Sequence, residues 1–299
     1  MNGPNPNQQT NWDWRAASNF IFGGAGSGLV VCLVFAALGV SYPWLYLLVS
    51  LALVGTGLAL VWTELGRPFR FANVLRHPKT SWMSREAYAA IFLMAFGLLS
   101  LLSGHPLAYF AAGISGFAFL YCQTRMLNAC MGIPAWRVQT SVLLFVSTGL
   151  AEGASLLLII GYLIRSVDQG ATIGPIAYVL VLAFVALRWV AWVSYRNSLL
   201  ASAPTLVIDG LNRFNGMVQV LGHIVPLILI IAAITVPGIS ALQPVMFVLA
   251  ALIALSTGWF IKFFVVLLIG SNQGYAIPVT PERGPAGIVF CDKPGWTQK

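Results

Sequence analysis

Eight apolar stretches, each close to the length a bilayer demands, leave this chain of 299 residues few folds to adopt. A helix rising 1.5 Å per residue needs roughly 20 apolar residues to cross about 30 Å of hydrocarbon. Windows of that kind run over 20–39, 43–63, 87–103, 107–124, 140–163, 173–195, 218–236 and 245–268. Hydrophobic residues make up 59% of the chain and charged ones only 8%, whereas soluble domains carry about 25% charged residues. The pattern predicts an all-α integral membrane protein of eight transmembrane helices. The parts are then a tail over 1–19, a first unit over 20–139, a second unit over 140–269 and a C-terminal stretch over 270–299. Membrane lipid, not nucleic acid, is the surrounding such a chain implies. The helices consume nearly all of the sequence, so any large cofactor chemistry belongs to another polypeptide.

Residues 1–10 carry no positive n-region, and the first window is long enough to remain as a span, so the first helix is expected to be a retained anchor rather than a cleaved signal. An even number of helices puts both termini on one side, with the loops after helices 2, 4 and 6. Thirteen Lys and Arg fall on that side and only Arg165 on the other, with Arg188 and Lys262 inside helices. The positive-inside rule then predicts a multi-pass protein of the inner, cytoplasmic membrane with both termini in the cytoplasm.

Five of the sixteen Lys and Arg crowd into one loop between the second and third helices, residues 64–86: Arg67, Arg70, Arg76, Lys79 and Arg85. Its flanks are two carboxylates, Glu64 closing one helix and Glu86 opening the next. At the same membrane depth lie Asn19 at the start of the first helix and Tyr121, Gln123 and Arg125 at the end of the fourth. An uncharged amphipathic ligand suits such a mouth, its apolar tail among helices and its oxygen-bearing head against hydrogen-bonding groups. A quinone, ubiquinone or menaquinone, meets that description, and Glu64 and Glu86 are placed to deliver the protons its reduction takes up. Asn19, Glu64, Arg67, Arg85, Glu86, Tyr121 and Gln123 are the candidate quinone-binding residues. Arg70, Arg76, Lys79, Trp82 and Arg125 form a basic surface for an acidic partner or anionic headgroups. The plainer reading makes each an ordinary helix-end residue, with Glu64 pairing to Arg67 and Ser84 capping the third helix.

Ionisable groups inside the membrane are costly and point to function by default. Glu152 lies half-way along the fifth window and Arg188 about two turns from the terminal-side end of the sixth, within reach of one another. They form either a structural ion pair or part of a proton path. Lys262, near the terminal-side end of the last window, has a stem long enough to snorkel to the headgroups. Gly24 and Gly28, and Gly149 and Gly153, have the spacing that lets helices approach closely in lipid; none belongs to a phosphate-binding loop. Cys32, Cys122, Cys130 and Cys291 show no paired spacing, so iron–sulfur ligation and disulfides are not expected. The three histidines, His77, His105 and His223, include no pair on facing helices, so neither haem nor a metal is expected on this chain. The Pro- and Gly-rich stretch 270–299 reads as an extended arm over a partner or as disorder.

Three stretches carry a family resemblance: Leu65-Gly66-Arg67-Pro68, Ser81-Trp82-Met83-Ser84-Arg85-Glu86, and Trp14 with Asn19-Phe20-Ile21-Phe22-Gly23-Gly24 and Gly28. They resemble the membrane anchor subunits of molybdopterin oxidoreductases, those of the dimethyl sulfoxide reductase anchor family and the related polysulfide and nitrite reductase membrane subunits. The likeness covers the first four helices best. It implies a haem-free subunit whose eight helices are arranged as two four-helix units and which passes electrons between membrane quinone and an iron–sulfur subunit docked on the terminal side, which serves a molybdenum or tungsten catalytic subunit. In the anchors a histidine precedes the Leu-Gly pair and a glutamate opens the third helix; here Glu64 stands at the first place and Glu86 at the second. The tail, Asn272-Gln273-Gly274-Tyr275-Ala276-Ile277-Pro278 with Pro281-Glu282-Arg283-Gly284, is similar to chains grouped with phenylacetyl-CoA:acceptor oxidoreductase. That likeness implies a cytoplasmic acyl-CoA substrate and electron flow into quinone. A secondary transporter with a midplane ion site, and a structural anchor without a quinone site, are the competing classes.

Overall fold

The computed structural model describes residues 6–36, 39–64 and 68–274. Among them there is no strand, and eight helices are long and apolar enough to cross a membrane. These are α1 (Trp14–Ala36), α2 (Pro43–Glu64), α3 (Trp82–Ser103), α4 (Pro106–Asn128), α5 (Gln139–Val167), α6 (Pro175–Leu200), α7 (Thr205–Thr235) and α8 (Gln243–Leu268). The count matches the hydropathy windows, but the starts do not. The α1, α3 and α7 helices begin well before their apolar stretches, because polar first turns escape a hydropathy reading while backbone capping does not. Asp13 accepts the amide of Arg15 to open α1. Ser81, not Ser84, caps α3 by accepting the Ser84 amide at 3.3 Å, while the Ser84 hydroxyl donates to the Val74 carbonyl. Pro106, Pro175 and Pro244 stand in the first turns of α4, α6 and α8, where a missing N–H costs nothing.

Packing centres on α1 and α5, the most buried of the eight spans. The glycines expected to permit close approach face one another. A Cβ on Gly153 would overlap the carbonyl carbon of Gly28, one on Gly28 would overlap the Gly149 carbonyl oxygen, and one on Gly149 would lie 3.1 Å from the Gly24 carbonyl. In lipid no hydrophobic force drives helices together, so backbone contact of this kind supplies the dispersion energy instead. Around this seam α2 and α4 pack on α1 and α6 and α8 pack on α5, while α3 lies on α4 and α7 on α8. The first and last four helices thus form two units joined through their leading helices.

Both ends of the bundle are fastened by polar contacts between the units. At the terminal end, the Gln9 amide donates to Gly270 O (2.8 Å) and the Asn272 amide to Asn7 O (2.9 Å). There Trp12 stacks on Trp136, whose indole N–H donates to Val265 O at 2.9 Å. At the opposite end the α1–α2 and α5–α6 loops pair. The Ser41 amide donates to Thr172 O, the Thr172 amide to Ser41 Oγ, and the Tyr42 hydroxyl to Asp168 at 2.8 Å.

Among the described residues three one-turn π segments interrupt the helices: Asn19–Gly23 in α1, Val220–Ile224 in α7 and Phe264–Leu268 at the end of α8. Such turns are rare and gather at functional sites. The first holds Asn19 and the second His223.

The seam makes a definite prediction. Replacing Gly153 by Ala places a methyl against the α1 backbone, which cannot rotate aside. The cost should exceed the about 1–3 kcal/mol of ordinary overpacking. Thermal unfolding in detergent should show a strongly destabilised Gly153→Ala protein, while Gly216→Ala, at a helical site with open space around it, unfolds at or above the wild-type temperature.

Candidate ligand cavity and the buried charge cluster

A cavity of about 930 Å³ lies between α2 and α3, roofed by the basic loop. The loop is a 3₁₀ segment, Pro68–Arg76. Its i, i+3 residues eclipse, so Arg70 and Asn73 fall on one line, and both line the cavity. Apolar walls come from Leu58, Ala59 and Val61 of α2, from Met83, Ala87, Ala90 and Ile91 of α3, and from Phe71, Val74 and Leu75 of the roof. Trp62, Met83 and Ile91 are exposed at its outer edge. The inner end is polar and buried: Glu86 and Asn19 are 5% and 2% exposed. Size, apolar lining and a few convergent polar groups are the marks of a small-molecule site.

The inner end is built by three helices. The π turn of α1 presents Asn19, whose Nδ2 donates to Glu86 Oε1 at 3.2 Å. From α4, Gln123 Nε2 donates to the Asn19 carbonyl at 2.9 Å. A Cβ on Gly23 would meet Gln123 and Phe119, so glycine there lets α4 approach. Among the described residues Asn19 Oδ1 has no hydrogen-bond partner, a buried acceptor left for a ligand or water.

The remaining sequence candidates are dispersed. Of the residues expected to bind quinone, Asn19 and Glu86 line the cavity, and Gln123 stands directly behind them. Glu64 does not line it; the carboxylate stands beside Asp13 and Arg15, where Arg15 Nη1 donates to Thr63 O at 3.0 Å. The α2 end turns its last residue toward the N-terminal segment rather than inward, so Glu64 is an outer neighbour, not a cavity group. Arg85 also points away, donating to Pro78 O (2.8 Å) and Lys79 O (2.7 Å), and thereby ties the loop. Tyr121 packs edge-on to Trp82 at 5.9 Å, outside the cavity. The guanidinium carbons of Arg85 and Arg125 sit 4.2 and 5.0 Å from the Trp82 ring centre, so the expected docking residues Trp82 and Arg125 form one cation–π group. Arg70, assigned to docking from sequence, is a cavity residue instead, while Arg76 and Lys79 remain exposed. Arg67 and the whole Leu65–Arg67 signature lie outside the described residues, as do the Glu64–Arg67 pair and the tail from Tyr275, with Cys291. Asn73 and Trp62 were missed; the i, i+3 spacing from Arg70 is the signal that would have found Asn73.

Deeper in the bundle the ionisable groups pair differently from the sequence reading. Glu152 is bonded to Lys262, Nζ to Oε2 at 2.5 Å, and both are fully buried. Lys262 does not snorkel because it leaves α8 on the face toward α1, where Gly24 makes room for its amine; a Cβ there would collide with Nζ. Arg188 is not the ion-pair partner of Glu152. Its Nη1 donates to Ala254 O (2.8 Å) and its Nη2 to Gly222 O (2.5 Å), a carbonyl in the π turn of α7 whose i+4 residue, Pro226, has no N–H to offer it. It still faces Glu152 across Gly258, whose Cβ would lie 2.8 Å from Glu152 Oε1 and 3.0 Å from Arg188 Nη1. His223 is buried beside this group and stacks on Trp189.

No model of a known protein family matches the chain, and no curated protein proves similar to it. The chemistry of the cavity and of the charge cluster therefore carries the functional reading.

Charge counting in the cluster gives an asymmetric prediction. Removing Glu152 leaves two buried cations unbalanced, whereas removing Lys262 leaves Glu152 opposite Arg188. Breaking a buried pair costs about 3–5 kcal/mol when a charge is stranded. Glu152→Gln should show that loss in detergent unfolding, and Lys262→Met a distinctly smaller one.

Proposed function

We propose that this chain is the quinone-reactive membrane subunit of a multi-subunit molybdenum or tungsten iron–sulfur oxidoreductase. In this reading it passes electrons between an iron–sulfur subunit on its basic terminal face and a quinone in the α2–α3 cavity. The observation that carries the proposal is that cavity: apolar and exposed at one end, closed at the other by the bonded pair Asn19–Glu86. A quinone ring at the inner end would meet the free Asn19 Oδ1 and the Glu86 carboxyl, with its isoprenoid tail leaving between α2 and α3 into lipid. Arg70 and Asn73 of the roof would cover the head. Reduction of a quinone adds two electrons and two protons; the electrons come from the iron–sulfur partner and Glu86 is placed to give a proton. Ubiquinone and menaquinone both fit an apolar cavity of this size.

The partners, a molybdopterin catalytic subunit and its iron–sulfur subunit, come from the family resemblance. So does the acyl-CoA class of substrate, phenylacetyl-CoA being the instance the tail suggests. The exposed basic groups Arg76 and Lys79 and the Arg85–Trp82–Arg125 group suit an acidic protein surface at that end. The bias of basic residues to the same end favours a cytoplasmic location for both termini and for the partner.

A secondary transporter is the second reading, favoured by the midplane Glu152–Lys262–Arg188 group. Isolation from native membranes separates the two: the anchor brings chains containing iron–sulfur clusters and molybdenum or tungsten, and a transporter brings none. In the isolated complex, added quinone should quench tryptophan emission through Trp62. Glu86→Gln should weaken that binding about tenfold or more, the equivalent of about 1.4 kcal/mol. Equal quenching by wild type and Glu86→Gln contradicts the placement of the ring.

A further inference from the structure

The Glu152–Lys262 pair has one cation too many. Arg188 supplies a second positive charge that faces the same carboxylate across Gly258, so with Lys262 protonated the buried group carries a net positive charge. With Lys262 neutral, Glu152 and Arg188 balance each other. Burial of an uncompensated charge is the costly condition. The loss of one proton from Lys262 is thus the one change that relieves it without breaking a helix contact. His223, on α7 beyond Arg188, adds no negative charge, and the α1 residue against the Lys262 amine is Gly24, which carries none either.

Lys262 is also the member of the cluster turned toward the cavity. Its amine and Gln123 Oε1 flank the same notch at Gly24; a Cβ there would lie 3.6 Å from the amide oxygen and in collision with the amine. Gln123 in turn bonds Asn19, and Asn19 bonds Glu86. The line runs across the bundle and inward from the cavity, where Glu86 lies about 6 Å into α3, to Glu152, about 20 Å into α5. It crosses the seam between the two four-helix units at a glycine of the contact motif.

We infer that Lys262, held by Glu152 and Arg188, is a proton donor to the Glu86 cavity, so that the second unit supplies one of the two protons the cavity reaction consumes. The inference rests on the quinone reading of that cavity. The step balances as follows. Two electrons arrive from the iron–sulfur partner, the two ring oxygens take one proton from Glu86 and one that Lys262 releases and water carries past the Gln123 and Asn19 amides, and quinol forms. Glu86 is left as carboxylate, Lys262 as neutral amine, and both then regain protons from water.

Lys262→Arg in the whole complex is the direct test, because an arginine keeps the charge and the bond to Glu152 but does not release a proton in a protein. Quinone binding, read by tryptophan quenching, should stay at the wild-type level, while quinone reduction slows about a hundredfold, the scale of a lost general acid. Lys262→Met, which removes the donor and leaves Glu152 facing Arg188, should give the same split if the arginine variant does not assemble. Binding and turnover at wild-type rates in either variant overturn the inference alone. A wild-type complex that neither binds nor reduces quinone overturns it together with the reading of the cavity.

Discussion

The contact of α1 with α5, backbone on backbone at Gly28 and Gly153, fixes where every polar group in the bundle can stand. With side chains at those positions the helices would sit several ångströms further apart, and the Gln123 side and the Lys262 side of Gly24 would no longer share a notch. Close approach in lipid rests on dispersion and shape alone. The same glycines that hold the units together also bring the amide group at the cavity beside the charge group at the midplane.

Two kinds of burial follow from that geometry. The cavity end is buried and neutral in its hydrogen bonding except for Asn19 Oδ1, so it is organised before any ligand arrives. The charge group is buried with an excess cation and with carbonyls of α8 and α7 taking the Arg188 protons. Unbalanced charge in so dry a place is poor stabilisation and suits a group that exchanges a proton. The π turns of α1 and α7 lie at both sites: one carries Asn19 and the other Gly222, whose carbonyl, left without an i+4 donor by Pro226, accepts from Arg188.

Hydropathy made the eight helices legible, since a span of about 20 apolar residues suits a bilayer crossing, while their grouping in fours came from the family resemblance. Polar first turns were illegible to it, which hid that Glu86 lies on the second turn of α3 inside the bundle. Individual candidates divided by direction. Asn19 and Glu86 face inward because a π turn and a capped helix start turn them so, while Glu64 and Arg85, equally close in sequence to the cavity, turn outward to the N-terminal segment and the loop. Depth along helices brought Glu152 and Arg188 to one level but not which face each leaves from, so Lys262 was lost as the partner. The four glycines were read as two motifs on two helices; that they meet each other is a fact of packing, not of spacing.

The central claim is that the α2–α3 cavity holds a quinone ring against Asn19 and Glu86. Photolabelling the complex in native membranes with an azidoquinone, followed by peptide mapping, addresses it most directly. The account predicts adducts on the peptides bearing Trp62, Asn73 and Met83, suppressed by excess quinone. Competable labelling confined to another surface, such as the apolar groove of Phe35, Phe117 and Phe184, would contradict it.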